Sequence, residues 1–473
     1  MQDYEDYDAI GLAALVREGE ITPTSLLDAA IERYEKRNPA LNAVVIPMLE
    51  YARAAVASGL PDGPFRGVPF LLKDLHASIP GVRTTCGSEL FAGNVPETES
   101  ELVARYRRAG LVTFGKTHSP ELGLTTTSES RLFGQTRNPW HLERTAGGSS
   151  GGAAAAVAAG IVPLAHATDG GGSIRVPASC CGLFGLKPTR GRTPMGPDVG
   201  EGWSGMSVQH AVSRSVRDSA ALLDASHGPD LGAPYAAQPP ERPFLAEVGA
   251  PPGSLRIALQ TETWNGSPTH ASCREAAEDA ARLCESLGHH VEEMRFEIDL
   301  EPYREATATI IGASVRATIE DRARALGREV RAEDVEPGTW LVAAGGAAKD
   351  APAYVRAVKT IHATGRKLAR FLERYDLVLT PTLATPPVEL GRLSLSNPNP
   401  GESLGALFQT VGFTQLANAT GNPAMSVPLC WDADGLPIGA QFMARMNDEA
   451  TLFRLAAQLE EARPWFPRRP PGC

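Results

Sequence analysis

Apolar residues recur at helical spacing in DAIGLAALVRE (8–18), and Thr22-Pro23 opens a second helix running to about Lys36, with Thr22 as its N-cap and Pro23 at its first position. LNAVVIPM (41–48) predicts a strand and 49–58 a helix. GVPFLLKDL (67–75) is a short apolar run with one lysine inside it, the pattern of a buried strand. Residues 99–110 predict a helix and LVTFGK (111–116) another strand. The alternation continues to about residue 225, so the expected fold class is α/β, a large sheet covered by helices on both sides. Residues 228–253 are rich in Pro and Gly and read as a linker or a long surface excursion. Beyond them come a strand (254–260), an amphipathic helix (271–287), a mostly helical stretch (301–375) and the buried strand DLVLTPT (376–382). A Pro/Asn/Ser-rich loop (383–403) follows. PAMSVPL and PIGAQFMA then form a hairpin around a DADG turn, and the last helix covers about 448–462.

Composition narrows the function classes. The chain has 473 residues, 42% hydrophobic and 21% charged, near globular averages. A net charge of −10 argues against nucleic acid or an anionic membrane as the main partner. The seven cysteines (86, 180, 181, 273, 284, 430 and 473) are odd in number and form no CxxC pair, so reduced thiols, a cytoplasmic location and no metal site are expected. The acidic start, MQDYEDYDAI, has neither the basic nor the apolar region of a secretory signal. Residues 145–168 carry no Asp, Glu, Lys or Arg over 24 positions, long enough to span a bilayer. They are mostly Ala and Gly and include Pro163 and His166, which predicts a buried, tightly packed segment instead.

The chemistry concentrates in 147–182, GGSSGGAAAAVAAGIVPLAHATDGGGSIRVPASCCG. Ser149 and Ser173 are both flanked by glycines, with an Ala-rich helix (about 150–159) and a strand (about 161–168) between them. Gly170, Gly171 and Gly172 precede Ser173, and glycines there let successive N–H groups converge on one point, as in an oxyanion hole built from main chain. The plain alternative is a glycine-rich turn that only permits close packing. GGSSG (147–151) matches the nucleophile-elbow pattern G-x-S-x-G. An elbow needs a strand directly before it, and HLERTA (141–146) is polar and poor in strand formers. There is no P-loop, and DGGGSIR lacks the features of a dinucleotide fingerprint. A serine nucleophile also needs a base. His76, His118, His141 and His166 carry no motif that ties them to Ser173. Lys73 stands in an apolar strand, where burial lowers the pKa of an amine; a snorkelling lysine, or one ion-paired with a carboxylate such as Asp74, is the bland alternative.

These residues resemble the amidase signature. The likeness runs through 147–178 and extends upstream over GVPFLLKDL, GKTHSPELG (115–123) and FGQTRNPWHLERTAGG (133–148). Downstream it covers GLFGLKPTRGR (182–192), YDLVLTPT (375–382) and ATGNPAMSVPL (419–429), leaving 200–210 and 300–370 the least family-like parts. The resemblance implies one amidase domain over 1–473, built around a large mixed sheet covered by helices on both sides: an N-terminal helical part (1–66), a signature core (67–225) and a C-terminal part with substrate-pocket helices and loops (226–473). It implies a Ser–Ser–Lys triad, with Ser173 as nucleophile, Ser149 as bridging serine after a cis peptide with Gly148, and Lys73 as base. The N–H groups of Gly170, Gly171, Gly172 and Ser173 match the oxyanion hole, and Ser150, Asp169 and Arg175 match supporting positions. Gly170 departs from the family, which usually has a hydrophobic residue or Thr there.

No cofactor is required by this chemistry. Among amidase-signature proteins, the segment that marks glutamine-dependent transamidase subunits is absent. The pattern is more similar to nylon-oligomer amidases of the cyclic-dimer hydrolase type, and some family members also cleave urethanes. The expected substrate is therefore a small hydrophobic or aryl amide, with a carbamate as a further possibility, acted on by a monomer or homodimer. Gly123, Leu124, Thr125, Trp203 and Met206 are expected to line an apolar cleft. The alternatives are a catalytic subunit of an amidotransferase-type complex, or an inactive amidase that only binds ligands.

Overall fold

The structure is a computed structural model and describes Met1 and residues 3–471; Cys473 lies outside the described residues. The first helices stand as the pattern predicts, at Ala9–Arg17 and Pro23–Leu41. Thr22 caps the second, accepting from the Ser25 N–H, and this helix runs five residues past its expected end. Pro39 sits inside its last turn.

The strands form two main sheets. The smaller holds β1 (Val44–Pro47), β2 (Pro69–Lys73) and β3 (Val112–Thr117) in the order β1-β3-β2, with β2 parallel and β1 antiparallel to β3. The larger has eight strands: β4 (Leu164–Asp169), β5 (Phe184–Lys187), β6 (Val208–Ser213), β7 (Arg256–Leu259), β8 (His290–Glu293), β9 (Leu377–Pro381), β10 (Ala424–Trp431) and β11 (Pro437–Ala444). Their spatial order is β8-β7-β9-β11-β10-β5-β6-β4, with parallel pairing at β7/β8 and β7/β9 and antiparallel pairing elsewhere. The sheet is thus large and mixed, as expected.

Both faces of the large sheet are covered, and β9 shows why its sequence is a continuous apolar run. Leu377 and Leu379 enter the core shared with helices Val216–Ser226, Ala271–Ser286 and Glu449–Ala462. Val378, between them, enters the core shared with Leu300–Ala325 and Ala351–Phe371. Alternate side chains point to opposite faces, so a strand buried on both sides has no polar alternation to show.

Two expectations fail locally. HLERTA contains a strand, His141–Thr145, paired with Arg137–Asn138 in a small outlying ribbon. Its residues are largely exposed, so no burial constrains them to be apolar. The 383–403 loop also ends sooner than its composition suggests, because Pro400 starts the helix Pro400–Thr410.

The chain brings its chemistry together where the two sheets meet. The Lys73 backbone N–H, at the end of β2, donates to His166 Nδ1 on β4 at 3.1 Å. The Ala-rich helix Gly151–Ala158 is buried along its whole length. A methyl group on Gly152 would stand 2.5 Å from both Ala43 O and His118 N, so only a residue without a side chain fits that contact. The charge-free stretch is therefore a packed interior segment. Among the described residues, no helix is long and apolar enough to cross a membrane.

Candidate active site

Strand β2 ends at Lys73, whose side chain is 0% exposed. Its Nζ donates to Ser149 Oγ at 2.7 Å and to Thr168 Oγ1 at 2.8 Å. Among the described residues no carboxylate forms a salt bridge with it. Burial pushes its pKa down to about 7, against a smaller opposing pull from Asp169. Pairing with Asp74 is thus ruled out as the reason for this buried lysine. The Asp74 carboxylate instead accepts from the Thr85 N–H at 3.0 Å and from the Thr85 hydroxyl.

Ser149 and Ser150 lie between the outlying ribbon and the Ala-rich helix, and the Gly148–Ser149 peptide is cis. Ser150 holds the end of β4: its hydroxyl donates to the Thr168 carbonyl and accepts from the Thr168 N–H, both at 3.3 Å. The strand His141–Thr145 stands before Ser149, and the Ser149 hydroxyl accepts from Lys73 Nζ.

Beyond Asp169 the chain turns through three glycines to Ser173 and the helix Arg175–Cys181. The turn is built around Asp169. One carboxylate oxygen accepts from the Gly172 N–H (2.8 Å), Arg175 Nη2 (2.9 Å) and Asn418 Nδ2 (2.8 Å). The other accepts from the Ile174 N–H (3.1 Å) and Arg175 Nε (3.0 Å). Burial raises the carboxyl pKa, but the Arg175 charge and these hydrogen bonds outweigh it and hold the group well below the usual carboxylate range.

This network corrects one expectation. The Gly172 N–H is committed to Asp169 and is not free for an oxyanion. The N–H groups of Gly170, Gly171 and Ser173 make no hydrogen bond among the described residues. Gly170 also explains its departure from the family pattern: a methyl group on it would stand 2.7 Å from Cζ3 of the Trp203 ring.

Ser149 (2% exposed) and Ser173 (7% exposed) open onto one cavity of about 500 Å³. The Ser173 hydroxyl makes no hydrogen bond among the described residues. Leu75, Phe91, Leu122, Val199, Trp203 and Val315 supply much of the apolar wall. Of the predicted lining residues, Gly123 and Trp203 are there. Leu124, Thr125 and Met206 are not. Leu124 packs against the cluster that holds the wall residues Phe91, Leu122 and Val315 without lining the cavity itself, the Thr125 hydroxyl turns away to the Leu393 carbonyl at 2.9 Å, and Met206 is fully buried. Leu122 takes the cavity position that Leu124 was expected to fill, through a left-handed backbone turn at φ 50°.

Sequence reasoning missed the residues that hold the site from a distance. Thr168 receives the second Lys73 hydrogen bond. His166 accepts from the Lys73 backbone, and Gln209 hydrogen-bonds its other ring nitrogen at 3.0 Å. Arg175 is fixed further by Gln441 Oε1 (2.6 Å), Asn418 Oδ1 (2.7 Å) and the Thr414 carbonyl (2.8 Å). These partners are more than 200 residues away in the chain, and no local pattern marks them.

A mixed sheet with a lysine–serine pair facing a glycine turn is the arrangement of a serine amide hydrolase, and the chain belongs to the amidase family, whose model matches residues 25–453. It is an amidase-signature hydrolase that cleaves amide bonds. It is 38% identical to the 6-aminohexanoate-cyclic-dimer hydrolase of Paenarthrobacter ureafaciens, over 98% of this chain and 96% of that protein. The structure of a 6-aminohexanoate cyclic dimer hydrolase complexed with substrate superposes with a TM-score of 0.93 at 37% identity, covering 99% of both chains. A bacterial aryl acylamidase of the amidase signature family superposes with a TM-score of 0.88 at 28% identity, covering 97% of both chains.

Proposed function

We propose that the protein hydrolyses small hydrophobic or aryl amides through an acyl-enzyme on Ser173, and carbamates more slowly at the C–N bond. The observation that carries this reading is the 2.7 Å contact between Ser149 Oγ and a buried lysine that has no salt-bridge partner among the described residues, beside a serine in the same cavity whose hydroxyl makes no hydrogen bond among them. Neutral Lys73 takes a proton from Ser149, and Ser149 takes one from Ser173. The Ser173–Ser149 contact closes when substrate is bound, as catalytic hydrogen bonds often do. Ser173 Oγ bonds to the carbonyl carbon, and the oxyanion rests on the N–H groups of Gly170, Gly171 and Ser173. Ser149 then delivers its proton to the nitrogen as the C–N bond breaks, Lys73 returns its proton to Ser149, and the amine is released. Water resolves the acyl-enzyme by the reverse relay.

Nothing in this relay requires carbon on the far side of the carbonyl. A carbamate would leave an alkoxycarbonyl group on Ser173, which water releases as an unstable carbonate half-ester. Its carbonyl is less electrophilic, because the ester oxygen donates into it, hence the slower rate. The apolar wall of Leu75, Phe91, Leu122, Trp203 and Val315 supports a hydrophobic substrate.

The test is to incubate the purified chain with a matched anilide and aryl carbamate and to quantify released aniline. Aniline above a Ser173→Ala control is expected from both, with more from the anilide. If neither yields it while glutamine or asparagine is deamidated well, the hydrophobic-pocket reading is wrong.

A further inference from the structure

The cavity has two distinguishable sides at the reacting centre. On one, Gly123 packs against the bridging serine: a methyl group on it would stand 3.2 Å from Ser149 Oγ and 2.9 Å from Leu75 Cδ2. On the other, the Trp203 ring covers Gly170, so closely that a methyl group there would meet Cζ3 at 2.7 Å and Cε3 at 2.9 Å. The loop that carries this ring is firmly held. Trp203, Ser204 and Gly205 are consecutive left-handed residues, with φ of 52°, 52° and 75°. The Ser204 hydroxyl hydrogen-bonds Tyr354 Oη on the helix Ala351–Phe371 at 2.5 Å, and Arg190 Nε donates to the Gly205 carbonyl at 2.7 Å. The Ser207 N–H closes the turn on the Gly202 carbonyl at 3.0 Å.

A tetrahedral intermediate on Ser173 has three other substituents to place. Its oxygen points to the glycine N–H groups. Its nitrogen points to Ser149, because that hydroxyl must protonate it, so the amine portion leaves along the side of Gly123 and Leu75. The acyl chain takes the remaining direction, past the ring seated on Gly170. We infer that Trp203 is the acyl-side selector, a fixed wall that admits acyl groups unbranched at the carbon next to the carbonyl and excludes branched ones. The inference rests on the roles given above to Ser173 and Ser149. It adds which end of the substrate Trp203 reads and what it rejects there. Gly170 is its structural counterpart, since any side chain at 170 would claim the volume the ring occupies.

The experiment compares the 4-nitroanilides of butyric and isobutyric acid, which share a leaving group and differ only in branching. Wild-type kcat/KM should favour the butyryl compound by at least about tenfold, the discrimination expected from one misplaced methyl group in a fixed pocket. Trp203→Ala should bring the two within about threefold of each other, mainly by a gain on the isobutyryl compound. Trp203→Leu serves the same test if the alanine variant folds poorly by its melting curve. A second series, one acid joined to linear and branched amines, should keep its wild-type ratio in both variants. Gly170→Ala should lower turnover, and adding Trp203→Ala should restore part of it by removing the clash.

An equal ratio in wild type and the Trp203 variants, in an enzyme that turns over both anilides, overturns the selector while leaving the triad intact. A change confined to the amine series overturns it likewise. Failure of wild type to cleave any of these amides, together with no labelling of Ser173 by a fluorophosphonate, overturns the triad reading and the selector with it.

Discussion

Lys73 and Arg175 are equally buried, and the protein treats their charges in opposite ways. Arg175 receives a carboxylate along the Nε/Nη2 edge of its guanidinium, two side-chain carbonyl oxygens and a backbone carbonyl. Lys73 receives two hydroxyls and no carboxylate. A guanidinium is always charged and must be paired if buried, whereas an amine can escape the cost of burial by losing its proton. On the proposed mechanism, in which Lys73 is the base, the difference teaches how a fold makes one. It withholds the counter-charge from the residue that must be neutral and spends the nearby carboxylate, Asp169, on its neighbour. Asp169 also ties down the Gly172 N–H, so one arginine–carboxylate pair shapes the turn that presents Ser173. Burial alone does not identify the base. Lys187 is also fully buried and pushed down to about 7, yet among the described residues its Nζ donates only to the Pro188 carbonyl.

The strongest way to break this comparison is to remove what Lys73 serves. Ser173→Ala should lower turnover at least about a thousandfold with the fold intact by circular dichroism. A fluorophosphonate should label Ser173 in the wild type, and peptide mass spectrometry showing label on Ser149 with Ser173 unmodified would sink the assignment.

Lys73→Met should cost several orders of magnitude, and Lys73→Arg should not rescue it, because Arg stays protonated. The amine is charged below about 7 and neutral above it, so wild-type activity should rise with pH through that value. Lys116 is a rival source of this limb, since burial pushes its pKa down to about 8 and it donates to Thr84 on the cavity wall at 2.5 Å. A pH–rate profile of Lys116→Met that keeps the limb near 7 assigns it to Lys73; loss of the limb in that variant would transfer it.

Arg175→Met attacks the other half of the comparison. It leaves the Asp169 carboxylate buried without its counter-charge and should destabilise the protein by about 3–5 kcal/mol in denaturant titrations. A loss below about 1 kcal/mol would mean that Asn418 and the backbone N–H groups hold Asp169 unaided.

The smallest effect is expected from Thr168→Val. It removes one acceptor from the Lys73 ammonium, which disfavours the charged form, so the acid limb should move to lower pH while turnover stays within about tenfold of wild type. Movement to higher pH would show that the hydroxyl stabilises the neutral amine instead.

The legible parts of the protein were those with local causes. The glycine turns around Ser149 and Ser173, the caps at Thr22 and the apolar runs of β2 and β9 all follow from the conformational preferences of a few adjacent residues or from burial on both faces. The lysine in the β2 run was visible as an oddity for the same reason. The ribbon strand His141–Thr145 was missed because its residues are largely exposed and nothing forces a hydrophobic pattern on them. The cleft was half-read. Trp203 and Gly123 line it while their near neighbours Met206, Leu124 and Thr125 do not. That choice turns on left-handed residues such as Leu122 and Trp203, a conformation no periodicity reports.

By itself, then, the sequence determined the α/β class, the strand that carries Lys73 and the two serines with their glycines, because each is encoded within one short stretch of chain. Only the tertiary structure decided that Lys73 meets Ser149 and Thr168 without a carboxylate, that Asp169 is spent on Arg175, and that Trp203 rests on Gly170. The Lys73 and Trp203 relations join segments dozens of residues apart, and the Asp169–Arg175 pair, six residues apart, is held by Asn418 and Gln441 from more than 200 residues away. A side chain's partner across such distances is set by how sheets and helices pack, not by the residues on either side of it.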